Sequence, residues 1–85
     1  MHKIEAQIDV QINDKIKAKV VFESLKPEIK SPPSTRAKVG LEVLNNTLTI
    51  TINANSISAL RASINSYLRW ISTILKCLDV IENIN

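Results

Sequence analysis

Ala37-Lys38-Val39-Gly40-Leu41-Glu42-Val43-Leu44-Asn45-Asn46-Thr47-Leu48-Thr49-Ile50-Thr51-Ile52-Asn53-Ala54 is the stretch that decides the fold. Apolar residues alternate with polar ones on both sides of Asn45-Asn46, which is the period of two half-buried strands. Asparagine tolerates the positive φ angles of a two-residue hairpin turn. With that turn, Leu44 faces Thr47. Val43 then opposes Leu48, Leu41 opposes Ile50, Val39 opposes Ile52, and Ala37 opposes Ala54. A slip by one residue would send every one of these side chains to the wrong face, so the register is strongly specified. The opposite face carries Thr47, Thr49, Thr51 and Asn53, with Lys38 and Glu42 across from them. Gly40, inside the first strand, reads as a bulge or a close backbone contact.

Upstream, apolar residues fall at every even position from Ile4 to Ile12, which is a third strand with Lys3, Glu5, Gln7, Asp9 and Gln11 on its polar face. Asn13 and Asp14 supply helix-capping chemistry. Ile16, Val20, Val21 and Leu25, with Phe22 beside them, then predict an amphipathic helix from about Lys15 to Leu25. Pro27 is expected to stop it. Pro27 to Thr35 reads as a loop, because its prolines deny it regular hydrogen bonding.

Downstream, Ser56 is a good N-cap for a last helix running from Ile57 to about Asn83. Ile57, Leu60, Ile64, Tyr67, Ile71, Ile74, Leu78 and Ile81 recur at alternating spacings of three and four, a heptad seam. Leu68 and Leu75 widen the apolar arc on one side; Trp70, Cys77 and Ile84 widen it on the other. At 1.5 Å per residue such a helix is about 40 Å long, more than a strand of nine or ten residues spans. The predicted fold class is therefore α+β: β-α-β-β-α, a three-stranded antiparallel sheet with two helices packed on one face. The whole chain, residues 1–85, is expected to be one domain. Its last helix carries more apolar surface than that domain can cover, so oligomerisation or a partner helix is expected.

Composition narrows the function classes. The 85 residues include a single Gly, a single Cys and a single His. One Cys makes neither an internal disulfide nor a zinc site, and a reducing, cytoplasmic setting is the simpler expectation. No run of about 18 apolar residues suggests a membrane span. The start, Met-His-Lys-Ile-Glu, has no apolar stretch of a signal peptide. His2 lies in a terminus, Cys77 reads as a small buried hydrophobe on a helix stripe, and the carboxylates are scattered. No enzyme site, cofactor or metal is therefore expected. A lone Gly argues against glycine-rich phosphate cradles and against an RNA-clamping Gly-x-x-Gly loop. The three aromatics, Phe22, Tyr67 and Trp70, fall on helices and not on a base-stacking sheet.

Charge leaves one constellation. The net charge is +3. Between Lys15 and Lys38 seven basic residues stand against Glu23 and Glu28, which leaves +5 in that window and a slightly acidic remainder. Arg61, Asn65 and Arg69, four apart, align along one helix face, and Arg36 and Lys38 open the second strand. These five residues suit RNA phosphates or an acidic partner, with a plain solvated face as the bland alternative. Trp70, at the margin of the seam, fits an interface anchor.

Three segments carry a family resemblance. Val21-Phe22-Glu23-Ser24-Leu25-Lys26-Pro27-Glu28 resembles the "SL-x-P-E" helix end of the CTAG/Pcc family, and Arg36-Ala37-Lys38-Val39 resembles its "R-S-x-V" strand start. Leu60-Arg61-Ala62-Ser63-Ile64-Asn65-Ser66-Tyr67-Leu68-Arg69-Trp70 is similar to its "L-R-A-x-x-N-S-x-L-R" helix. Asn55-Ser56 replaces the family's usual acidic residue before that helix. The resemblance implies a non-catalytic small subunit of the KEOPS complex, which forms threonylcarbamoyladenosine beside the anticodon of tRNA. Such a subunit is implied to form a homodimer and to bind the threonylcarbamoyltransferase catalytic subunit through its helices. The short segment before the first strand suits the archaeal type. On this reading Tyr67, Leu68, Trp70, Ile71, Ile74 and Leu75 meet the partner. Arg36, Lys38, Arg61, Asn65 and Arg69 assist tRNA docking or pair with acidic residues. The competing class is a free-standing small basic RNA-binding domain, and a third is a structural dimer without a ligand.

Overall fold

The computed structural model describes residues 4–30 and 37–83. Its elements follow the expected order: β1 (Ile4–Gln11), α1 (Lys15–Lys30), β2 (Ala37–Leu44), β3 (Thr47–Ala54) and α2 (Ile57–Asn83). The three strands form one antiparallel sheet with β3 in the centre, in the order β1-β3-β2. The β2–β3 register is the one the alternation dictates, with Val43 against Leu48, Leu41 against Ile50, Val39 against Ile52 and Ala37 against Ala54. Asn45 opens the turn at a φ of 55°, a conformation asparagine adopts at low steric cost. On the other side β1 sets Ile8 against Ile50 and Val10 against Leu48.

Both helices lie on the apolar face. Leu48, Ile50, Ile52 and Ala54 of the central strand are completely buried beneath them. Each such large aliphatic side chain contributes about 1.5–3 kcal/mol by leaving water. Val21 and Leu25 of α1 and Tyr67 and Ile71 of α2 complete the core. The opposite sheet face is polar and open, with Glu5, Gln7, Asp9 and Gln11 on β1 and Lys38, Glu42 and Leu44 on β2 all exposed. On it the Thr49 hydroxyl donates to Asp9 Oδ1 at 2.9 Å.

Each helix begins where its cap predicts. The amides of Ile16 and Lys17 donate to Asp14 Oδ1 at 2.7 and 3.3 Å. The amide of Ala59 donates to Ser56 Oγ at 3.1 Å. These bonds satisfy donors that a helix start leaves without intrahelical partners.

Four expectations are corrected. Helix α1 does not stop before Pro27 but continues through it to Lys30. Leu25 and Ile29, on either side of the proline, both pack on the core, and Pro27 and Glu23 are exposed. The Glu23 carbonyl that Pro27 cannot satisfy therefore has access to water. Second, Ile16 and Val20 are not core residues; they are 75% and 37% exposed. The buried line of α1 runs through Ala18, Val21 and Leu25 instead. Third, Gly40 marks neither a bulge nor a close approach. It pairs with Thr51 in an unbroken ladder, and a Cβ placed there would meet nothing nearer than Thr51 Cβ at 3.9 Å. Fourth, Cys77 is exposed rather than buried. Of the expected loop, residues 31–35 lie outside the described residues, and residues 27–30 are helical.

Candidate functional site

The two helices are locked in a fixed register by three contacts. Lys17 Nζ meets Glu82 Oε1 at 2.7 Å and Asp79 Oδ1 at 3.7 Å. At the other end, the Tyr67 hydroxyl donates to the carbonyl oxygen of Glu28 at 3.2 Å. Residue 17 pairs with 79 and residue 28 with 67, so α1 and α2 run antiparallel. On that register Val20 stands level with the turn around Leu75, and Leu68 stands level with Pro27 and Glu28.

Both ends of this lock are electrostatically defined. The hydrogen bond with Glu82, ahead of the opposing effect of partial burial, holds the Lys17 ammonium above its ordinary pKa of 10.5. Burial, and then the nearby charge of Glu28, push the Tyr67 phenol above its ordinary value of 10.0. Both groups therefore keep their protons well into the alkaline range.

The apolar residues expected to meet a partner divide into two groups. Tyr67 and Ile71 are spent on the protein's own core, at 0% and 3% exposure. The Tyr67 ring packs edge-on against Trp70, with centroids 5.1 Å apart and planes at 85°. Trp70, Ile74 and Leu75 are half-buried, and Leu68 is exposed. Ile16 and Val20, which the helical spacing puts on the apolar face of α1, are exposed as well. A depression of about 420 Å³ is lined by Ile16, Lys19, Val20, Glu23 and Ser24. Further exposed apolar residues lie at the ends of α2, at Ile57, Val80 and Ile81. The i, i+4 spacing of Ile16 and Val20 is the signal that located them; their solvent-facing side is legible only once Ala18 is known to be the inner residue.

The basic set does not form one patch. Arg61, Asn65 and Arg69 are exposed along α2. Lys38 is exposed on the open sheet face, across the sheet from both helices. Arg36 lies outside the described residues. Among the described residues no group of three or more His, Cys, Asp or Glu side chains could hold a metal ion. None of the described helices is long and apolar enough to cross a membrane.

A β-α-β-β-α layer with an antiparallel helix pair over one sheet face defines a small α+β module. The same fold occurs in the crystal structure of the binary complex Gon7-Pcc1, with a TM-score of 0.83 and 17% identity over 95% of this chain and 99% of the matched one. The family model described as "Transcription factor Pcc1" matches residues 5–79. A protein of Pyrococcus abyssi (strain GE5 / Orsay), "KEOPS complex subunit Pcc1", is 32% identical over 78 residues, 92% of this chain and 95% of that protein. The chain belongs to the Pcc1 family.

Proposed function

We propose that this chain is a non-catalytic adaptor subunit of a KEOPS complex, docking the threonylcarbamoyltransferase subunit on the outer face of its helix pair. The observation that carries this reading is the exposure of large apolar side chains on both helices, Ile16 and Val20 on α1 and Leu68 on α2, although the inner sides of these helices are already filled by their own sheet. Burying such surface against a partner removes apolar area from water, a favourable term that the costs of association and side-chain ordering offset in part. Trp70, Ile74 and Leu75 are half-buried and extend the contact at its margins. Membership of the Pcc1 family and the name of the Pyrococcus abyssi relative support the assignment to KEOPS.

Arg61, Asn65 and Arg69 are exposed on α2 as well and pair with partner carboxylates or with tRNA phosphates. A second copy of the chain adds to the assembly through a sheet edge. Of the two free edges β1 suits self-pairing: an antiparallel pair centred on Ile8 sets Gln7 opposite Asp9 and Glu5 opposite Gln11, so no carboxylate faces another. Capture of the purified transferase subunit by this chain, with and without RNA, tests the adaptor reading. Capture independent of RNA supports it. Binding of RNA alone, without the transferase, favours the free-standing RNA-binding class.

A further inference from the structure

We infer that the last turn of α1, from Pro27 to Lys30, is a strap that opens about Pro27 as one unit, with the Tyr67 hydroxyl as its catch. The inference does not depend on the adaptor reading. Up to Lys26 the helix is fixed. Ala18, Val21 and Leu25 are buried, and Lys17 is tied to Asp79 and Glu82. Lys26 reaches backward, to Glu23 at 3.4 Å, and its ammonium stands 5.2 Å from the centroid of the Phe22 ring.

Beyond Lys26 the attachment changes. Pro27 has no amide to give the Glu23 carbonyl, and its ring crowds that carbonyl, so one rung of the helix ladder is missing at this point. Pro27 and Glu23 are both exposed, so water has access to the gap. No residue of the strap is fully buried: Pro27 and Lys30 are exposed, and Glu28 and Ile29 are half-buried. Two ties hold it down. Ile29 packs on the core, and the Glu28 carbonyl accepts from the Tyr67 hydroxyl at 3.2 Å. The catch itself is rigid, because the Tyr67 residue is completely buried and its ring is braced edge-on by Trp70.

A segment with few buried contacts, joined to the helix body at a defective rung, opens at lower free energy than the body. Opening uncovers the Tyr67 hydroxyl and the core beneath Ile29. Leu68 stands level with Pro27 and Glu28, so opening also reshapes the margin of the outer helix face. Plain fraying of a helix end is a different process. It releases Lys30 first and Glu28 last, and it depends on neither Pro27 nor Tyr67.

The test is amide hydrogen exchange of the purified chain, followed by NMR at guanidinium concentrations below the unfolding transition. The helix bonds the amides of Glu28, Ile29 and Lys30 to the carbonyls of Ser24, Leu25 and Lys26. These amides are expected to share one protection, at least about tenfold weaker than that of Val21 and Leu25. They should respond little to the denaturant, because the opening exposes little surface, whereas Val21 and Leu25 accelerate. Tyr67→Phe should speed the strap amides about two- to tenfold, by removing one hydrogen bond that opening must break. Pro27→Ala, which restores the rung across the hinge, should slow them. The inference is overturned if the strap amides follow Val21 and Leu25 through the denaturant series. Protection that falls stepwise from Glu28 to Lys30 overturns it in favour of fraying. Strap rates left unchanged by Tyr67→Phe remove the catch, and rates left unchanged by Pro27→Ala remove the hinge; either result overturns it too.

Discussion

The Tyr67 hydroxyl donates to the Glu28 carbonyl across 3.2 Å, joining the middle of α2 to the last turn of α1, one residue beyond Pro27. A buried phenol thus holds the segment that the proline would otherwise be expected to release. Tyr67→Phe keeps the ring packing and deletes this bond. It should cost about 0.5–1.5 kcal/mol, a typical net value for one hydrogen bond. For a domain of this size that lowers the melting temperature by about 4–8 °C per kcal/mol. The folded-state pKa of Tyr67 is raised, so its contribution is complete below pH 10.0 and is lost as pH climbs through the folded value. The stability gap between parent and Tyr67→Phe, followed by thermal melts from pH 7 upward, should hold to about pH 10 and then narrow.

Lys17→Met removes the cation that ties α1 to Asp79 and Glu82. The variant should melt lower than the parent at neutral pH, with early fraying of α2 beyond Asp79 visible in amide exchange. The raised pKa of Lys17 places the loss of this pairing above pH 10.5, where parent and variant should converge. High salt should narrow the same gap through screening.

Ser63 is fully buried on α2, and its hydroxyl has no hydrogen-bond partner. A desolvated, unbonded hydroxyl costs free energy, and alanine is also the better helix former. Ser63→Ala should raise stability by about 0.5–2 kcal/mol in a denaturant titration with an unchanged m-value. A loss of stability would mean that the hydroxyl is satisfied in solution.

Pro27→Ala restores the amide that can bond the Glu23 carbonyl. Proline in a helix interior costs about 3 kcal/mol relative to alanine, offset in part by the stiffness it gives the unfolded chain. The variant should be more stable by about 1–2 kcal/mol, with higher helicity at 222 nm.

The contrast between the hairpin and α1 shows what sequence can and cannot reveal here. Side chains of β2 and β3 point alternately to two chemically different faces, so a single turn at Asn45-Asn46 fixes every pair from Ala37–Ala54 to Val43–Leu48. The bounds of α2 were equally legible, because Ser56 caps it and neither proline nor glycine interrupts it. The inner faces of the helices were harder to read. Size is a poor sign of burial in these helices: Ile16 and Val20 are exposed where Ala18 is buried, and Ile57 is exposed where Ala59 and Ser63 are buried. Small residues line the close approach to the sheet, and the large ones beside them are left outside. Ile16 and Val20, two of the three residues of the candidate docking surface, are such large residues, whereas Leu68 lies beside the seam. The end of α1 is not legible in the sequence, because a proline's local preference yields when residues on both sides are anchored, as Leu25 and Ile29 are.

Because Ile71 is 3% exposed, changing it would damage the core and any interface together. Leu68 is 41% exposed and Val20 37%, so these two positions separate folding from docking. The decisive measurement is the affinity of the purified transferase subunit for Val20→Asp/Leu68→Asp beside the parent, by isothermal titration calorimetry, with melting curves as the control for folding. A loss of at least about 100-fold is expected, since the two aspartates would place charges in the apolar part of the contact. Unchanged affinity in a variant that melts like the parent would contradict the assignment of the outer helix face as the docking surface.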